Sequence, residues 1–351
     1  MTSSTRLQGL VLTVLMALLQ GMDACTVPVF RYALDHWFPD SFTLEVSPAI
    51  ANAEHVAHFA RNLGSSSGLN VEVSRLPDDT LGAARLMRPP MGSNPPTMLW
   101  SGVLDAQALE TLTDSPFRQE LAKRLLAGDS SVFVLIESAD KHANAEALEV
   151  LEKRIRYLEQ VIRLPLIDPN DPSSKLGPGP ALALKYSVLR IPAALGLEAP
   201  LLAMLAGPRS GLEKSKDPWI AVVFGRGRVL GAWAAQDFRD DEIEEVCLFL
   251  AGACSCQVKR QNPGWDLLLK CAWADRLQSM GLPPDPNVPE SNGSQLKTDA
   301  QPETVTFRGA SASPKSLRGQ KHPDEVPFPA LGIPLIFLFL VGAGWRTFKT
   351  P

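Results

Sequence analysis

The chain is short of the residue types that usually announce a chemistry. Its 351 residues include only five Cys and five His, and aromatics make up 7%. That leaves little for a dense metal protein or for a miniprotein stapled by disulfides. Positive charge is not in excess either: 34 Lys and Arg stand against 38 Asp and Glu, a formal net charge of -4. A chain built to grip phosphate backbones needs the opposite balance, so nucleic acid is not an expected partner. Basic residues interleaved with aromatics are missing, as are a phosphate-cradling Gly loop, a His-Glu-x-x-His run and a nucleophile elbow. Catalytic Ser, His and Asp can still meet in space from distant positions, so missing local motifs do not exclude a hydrolase. The surplus lies elsewhere, in 30 Pro within a chain that is 45% hydrophobic.

The two ends explain part of that surplus. Residues 1–24 carry Arg6, then the apolar run Leu10 to Leu19 (LVLTVLMALL), then Gly21, Met22, Asp23 and Ala24 ahead of Cys25. About ten apolar residues are too few to span a bilayer core of roughly 30 Å but match the apolar region of an export signal. Small Ala24 suits the position before cleavage. Cys25 just after it also fits a lipoprotein box, in which that Cys is acylated, and Asp23 fits neither pattern well. Cleavage to a plain N-terminus, lipidation and an uncleaved anchor are the three alternatives.

At the far end, residues 328–345 (FPALGIPLIFLFLVGAGW) hold no charge and precede Arg346 and Lys349 in the short tail 346–351. The length is at the lower limit for a spanning helix, with Trp345 placed for the interface. Positive residues stay cytoplasmic, so a single-pass membrane protein is expected, its body outside the cytoplasm. Residues 281–327 are rich in Pro, Ser, Asn, Gln and charge and have no apolar period. They are expected to form a disordered stalk. Asn292-Gly293-Ser294 in it matches a glycosylation sequon.

The body between Cys25 and Met280 suits two small α/β units, residues 25–128 and 129–280. In the second, Val132 to Glu137 (VFVLIE) reads as a strand buried on both faces. Leu148, Leu151, Ile155, Leu158 and Ile162 then recur at helical spacing. A strand near Leu184 to Ile191, a helix from Ala199 to Ala206 stopped by Gly207-Pro208, and a strand Trp219 to Phe224 follow. Gly225-Arg226-Gly227-Arg228 leads into Val229 to Trp233 and predicts a hairpin. A helix starting at Asp240 or Asp241 stops at Gly252, and Asp266 to Met280 has Leu269, Trp273, Leu277 and Met280 in helical phase. The first unit reads as a shortened β-α-β-β-α: Phe42 to Val46, Ala53 to Leu63, Asn70 to Leu76, Thr97 to Trp100, then a helical stretch to Gly128.

With Asp217-Pro218 directly before the third strand and the Gly225 and Gly227 turn before the fourth, the order β-α-β-α-β-β-α over about Ser131 to Gly252 resembles the thioredoxin-like fold. The resemblance implies a tandem of two such units, each a mixed sheet flanked by helices, with Pro218 at the place of the family's cis-proline. It departs at the family's Cys-x-x-Cys, where this chain has Ser138, Ala139, Asp140, Lys141 and His142. Dithiol chemistry is therefore not carried over to that helix. The stretches Ala24 to Leu34 and Cys254 to Lys259 also resemble an uncharacterised family of exported, membrane-anchored bacterial proteins, which supplies no activity.

Five cysteines remain as the only suggestive reactive set: Cys25, Cys247, Cys254, Cys256 and Cys271. Outside the cytoplasm, one or two structural disulfides with Cys247 buried and inert are the plain expectation. The sharper one is redox. Val27-Pro28 opens a helix whose dipole favours a thiolate at Cys25, exchanging with Cys254 or Cys256. The Cys spacing lacks paired Cys-x-x-Cys units, and His55 and His58, at i and i+3, lack a visible third ligand, so no metal is expected. Arg226 and Arg228 read as a solvated turn or, less simply, an anion grip.

These readings favour a membrane-tethered extracytoplasmic binding or scaffold protein on redox-silent thioredoxin-like domains. It would have a protein partner and no cofactor, with enzymatic activity left open. The alternative is an extracytoplasmic thiol oxidoreductase using Cys25, Cys254 and Cys256.

Overall fold

A computed structural model describes residues 26–63, 68–76, 83–92, 94–192, 198–209, 211–254 and 257–280. The expected signal segment, Cys25, Cys256, the stalk, the apolar C-terminal stretch and the tail lie outside the described residues. Among the described residues, no helix is long and apolar enough to cross a membrane.

Two mixed sheets flanked by helices make the body, an α/β architecture. The chain runs α1 (Val29–His36), β1 (Phe42–Val46), α2 (Pro48–Ala51), α3 (Glu54–Asn62), β2 (Val71–Arg75), β3 (Ala83–Arg88), β4 (Thr97–Val103), α4 (Ala106–Thr113) and α5 (Pro116–Leu126). It continues with β5 (Ser131–Ile136), α6 (Lys141–Val161), β6 (Tyr186–Ile191), α7 (Ala199–Ala206), β7 (Trp219–Phe224), β8 (Arg228–Ala234), α8 (Asp240–Ala251), β9 (Trp265–Asp266) and α9 (Trp273–Gln278).

The first sheet has the order β2-β1-β3-β4, the second β6-β5-β7-β8-β9. In each, the first two strands in sequence are parallel neighbours. The third then lies antiparallel against the first, and the fourth antiparallel against the third.

Several local signals act as read. Asp140 caps α6, its carboxylate accepting the amides of His142 and Ala143 at 2.9 and 3.1 Å. The helical stretch before Gly128 is broken in two where Ser115 accepts the Arg118 amide and Pro116 takes the first helical position. A strand absent from the sequence reading, β3, completes the first sheet. The expected helix over Asp266 to Met280 is confined to Trp273–Gln278: Trp265–Asp266 form β9, and Leu267 to Leu269 enter the core without helical structure.

β5 and β7 are buried at every position, and period-two alternation divides them between two cores. Phe133, Leu135, Ile220, Val222 and Phe224 face α6, α8 and α1. Val132, Val134, Ile136, Ala221 and Val223 join a core that also holds Phe42, Leu44 and Leu86 of the first sheet. Helix α7 (APLLAMLA) packs against both β4 and β8, its Leu201, Met204 and Leu205 buried in that shared core. One core therefore crosses the sequence boundary at residue 128.

Helix α1 is the other tie. Its Arg31 and Asp35 side chains pair in the interior at 2.9 Å, 3% and 1% exposed. Arg31 also donates to the carbonyls of Pro180 and Gly177, so both charges are satisfied, as burial requires. That clamp fixes the long connection between α6 and β6 against the first helix.

Candidate functional site

The cysteines are the reactive side chains to which the sequence points. Cys247 lies in α8 and is fully buried; burial pushes its thiol up to about 12, partly opposed by the Tyr186 hydroxyl. Cys271 is buried too, and desolvation pushes it up to about 11. Both stay protonated at neutral pH, and a protonated thiol is a poor nucleophile. They also sit in different cores, Cys247 on the α6/α8 face of the second sheet and Cys271 in the shared core. Cys254 is buried beside Cys247's core, and no disulfide joins any two of these three described cysteines. Cys25 and Cys256, the other two members of the redox candidate set, lie outside the described residues.

The place where the resemblance puts a dithiol is occupied by a helix cap. Asn144 accepts the Ser138 amide through its side-chain oxygen at 2.8 Å and returns its own amide to the Ser138 carbonyl at 2.9 Å. The Asp140 carboxylate accepts two of the first amides of α6, and the Asn144 bonds close the loop ahead of them onto Ser138.

Pro218 precedes β7 as expected, but among the described residues no peptide bond is cis, so it lacks the isomer that the resemblance implies. The Gly225 to Gly227 turn does join β7 to β8. Gly225 has φ +57°, and a Cβ there would stand 2.8 Å from that of Ala33. Gly227, at φ +89°, would meet Leu269 at 2.4 Å. Both glycines thus serve positive φ and close approach together.

Arg226 and Arg228 are neither solvated nor free to hold an anion. Arg226 donates to the carbonyls of Leu34 at 2.7 Å and Asp35 at 2.8 Å, satisfying the end of α1, and lies 4.4 Å over the Phe38 ring. Burial lowers its pKa. Arg228 donates to Pro263 and Asn262 carbonyls and pairs with Asp266 at 3.3 Å. Lys259 binds the other oxygen of Asp266 and reaches Asp40 at 3.0 Å. This network holds the hairpin, the segment after α1 and the segment before β9 together. A turn rich in Gly and Arg reads as exposed from sequence alone. Only the fold supplies the carbonyls that make it a fastener.

The His pair borders a concavity. An open groove of about 660 Å³ runs between α3 and α4, lined by the apolar Phe59, Leu63 and Leu109 and by the polar His58, Arg61 and Lys270 among others. His55 bonds the Leu104 carbonyl through Nε2 at 2.8 Å, and His58 contacts Asn62. No group of three potential metal ligands exists among the described residues. The lining combines apolar side chains with charged ones, and among the described residues that line it no nucleophile is paired to a base.

No protein-family model matches the chain, and no curated protein matches it.

Proposed function

We propose that this chain is a membrane-tethered extracytoplasmic binding or scaffold protein, built on two tandem thioredoxin-like units without dithiol chemistry. The observation that carries the reading is the strand order. Second-first-third-fourth, parallel once and antiparallel twice, occurs in both sheets. A capped α6 start and the raised thiols of Cys247 and Cys271 support redox silence. The apolar ends of the sequence support export and tethering.

Two measurements on the full-length protein test this. Alkaline extraction should leave it in the membrane, and deleting residues 328–345 should release it. Incubated with a dithiol donor and a disulfide substrate, it should give no turnover above background. Steady-state thiol turnover lost on Cys254→Ser and Cys256→Ser would replace the scaffold reading with the oxidoreductase.

A further inference from the structure

Five arginines are buried among the described residues: Arg31, Arg88, Arg118, Arg226 and Arg228. Four of them are fastened to main-chain carbonyls. Arg31 holds those of Gly177 and Pro180 besides the Asp35 carboxylate, Arg226 those of Leu34 and Asp35, and Arg228 those of Pro263 and Asn262 besides the Asp266 carboxylate. Arg118 donates to the carbonyls of Thr111 at 3.2 Å and Leu112 at 2.8 Å. Arg88 is the exception.

Arg88 ends β3, and period-two alternation puts it on the core side of the first sheet with Ala84 and Leu86. It is 4% exposed, and it faces Thr97 at the start of β4. Its Nη2 donates to the Thr97 hydroxyl at 3.1 Å, and that hydroxyl donates onward to the Pro95 carbonyl at 3.3 Å. Nε and Nη1 are enclosed and have no partner among the described residues. Burial lowers the pKa of Arg88 as it does those of Arg118 and Arg226. Glu198 opposes that fall for Arg118 and Asp35 for Arg226, but no described carboxylate does so for Arg88. A guanidinium keeps its charge at neutral pH, and enclosing it without a counter-charge is strongly unfavourable. A buried water would occupy the N–H groups and leave the charge standing.

We propose that Arg88 is an anion site, its Nε and Nη1 holding a small monovalent anion, chloride or a short carboxylate such as acetate, where β3 ends and β4 begins. The charge count sets the valence. One guanidinium neutralises one negative charge, and a dianion such as sulfate would carry a second, unpaired charge onto the apolar face shared with Leu86. Enclosure sets the size: Nε and Nη1 are sealed from solvent, so a carboxylate carried on another protein does not reach them, whereas a small ion needs only a local opening. The site owes nothing to the export, tether or redox readings.

The full-length protein, dialysed into gluconate as a bulky anion, tests this. At constant ionic strength, replacing gluconate by chloride or acetate should raise Tm by about 3–5 °C for each tenfold increase above the dissociation constant. In Arg88→Met the rise should vanish, with Tm in gluconate at or above that of the unaltered protein, because an unpaired buried charge is gone. Equilibrium dialysis of the unaltered protein against labelled chloride, acetate and sulfate needs no variant. One chloride or acetate per chain is expected, and no sulfate. Retention of chloride alone identifies a halide site, and of acetate alone a carboxylate site. A Tm indifferent to both ions, no ion retained, sulfate retained in their place, or an equal Tm rise in folded Arg88→Met would overturn the proposal.

Discussion

The two sheets share a strand order and differ in how they are covered. In the second, β5 and β7 are buried along their whole length because α6 and α8 cover one face and the shared core the other. In the first, β4 is exposed or half-buried throughout, and β2 is buried only at Val71. A sheet covered on both faces tolerates almost no change of side chain, whereas one with open edge strands leaves room for variation and for contact. The difference teaches that one topology can be enclosed in one half of a molecule and left open in the other, with the α3/α4 groove on the open half.

The largest test of that contrast is Phe133→Ala, which empties a fully buried site and is expected to cost about 3–5 kcal/mol in urea denaturation. Leu99→Ala, on half-exposed β4, should cost about 1 kcal/mol; equal losses at the two sites would break the comparison. Gly227→Ala forces a side chain into positive φ against Leu269, and a loss of about 1–3 kcal/mol is expected by the same measurement. Asp140→Ala removes the α6 cap and should cost about 1 kcal/mol, with helix fraying at residues 141–144 visible by hydrogen exchange.

Alkali sharpens the contrast differently. Because the Cys247 thiol is raised from 9.0 to about 12 in the folded protein, the unfolded chain loses its proton first. That contribution is intact below pH 9 and disappears as pH climbs toward 12, so Tm should fall across that interval. The fall should be shallower in Cys247→Ala. The smallest effect belongs to Val103→Ser on exposed β4, expected within about 0.5 kcal/mol of the unaltered protein.

Legibility followed the same division. β7 and α7 have the boundaries that apolar runs and Gly207-Pro208 announce, because full burial writes itself as continuous hydrophobicity. β3 (AARLMR) was missed because it lacks β-branched residues and alternates weakly; its partners in β1 and β4 make it a strand. Leu269, Trp273 and Leu277 do meet one core, but the first of them lies ahead of the helix, and a period of three to four residues cannot report that. At the candidate site, the missing dithiol was plain from Ser138 to His142. The enclosure of Arg226 and Arg228 was not, since their carbonyl partners come from segments as far away as residue 34. The Arg31 and Asp35 clamp had a visible signal in its i, i+4 spacing, but nothing local foretold its burial.

The docking of α1 sets a timetable for assembly. Val27, Val29 and Phe30 find their neighbours in α8 and in the segment that follows it, more than two hundred positions along the chain. During synthesis, residues 27–30 therefore wait for residues 246–254, which follow much later in the chain. Until then an apolar amphipathic stretch stands uncovered, a slow, long-range closure of the kind that contact order penalises. Only when the last turn of α8 is in place can that stretch be covered.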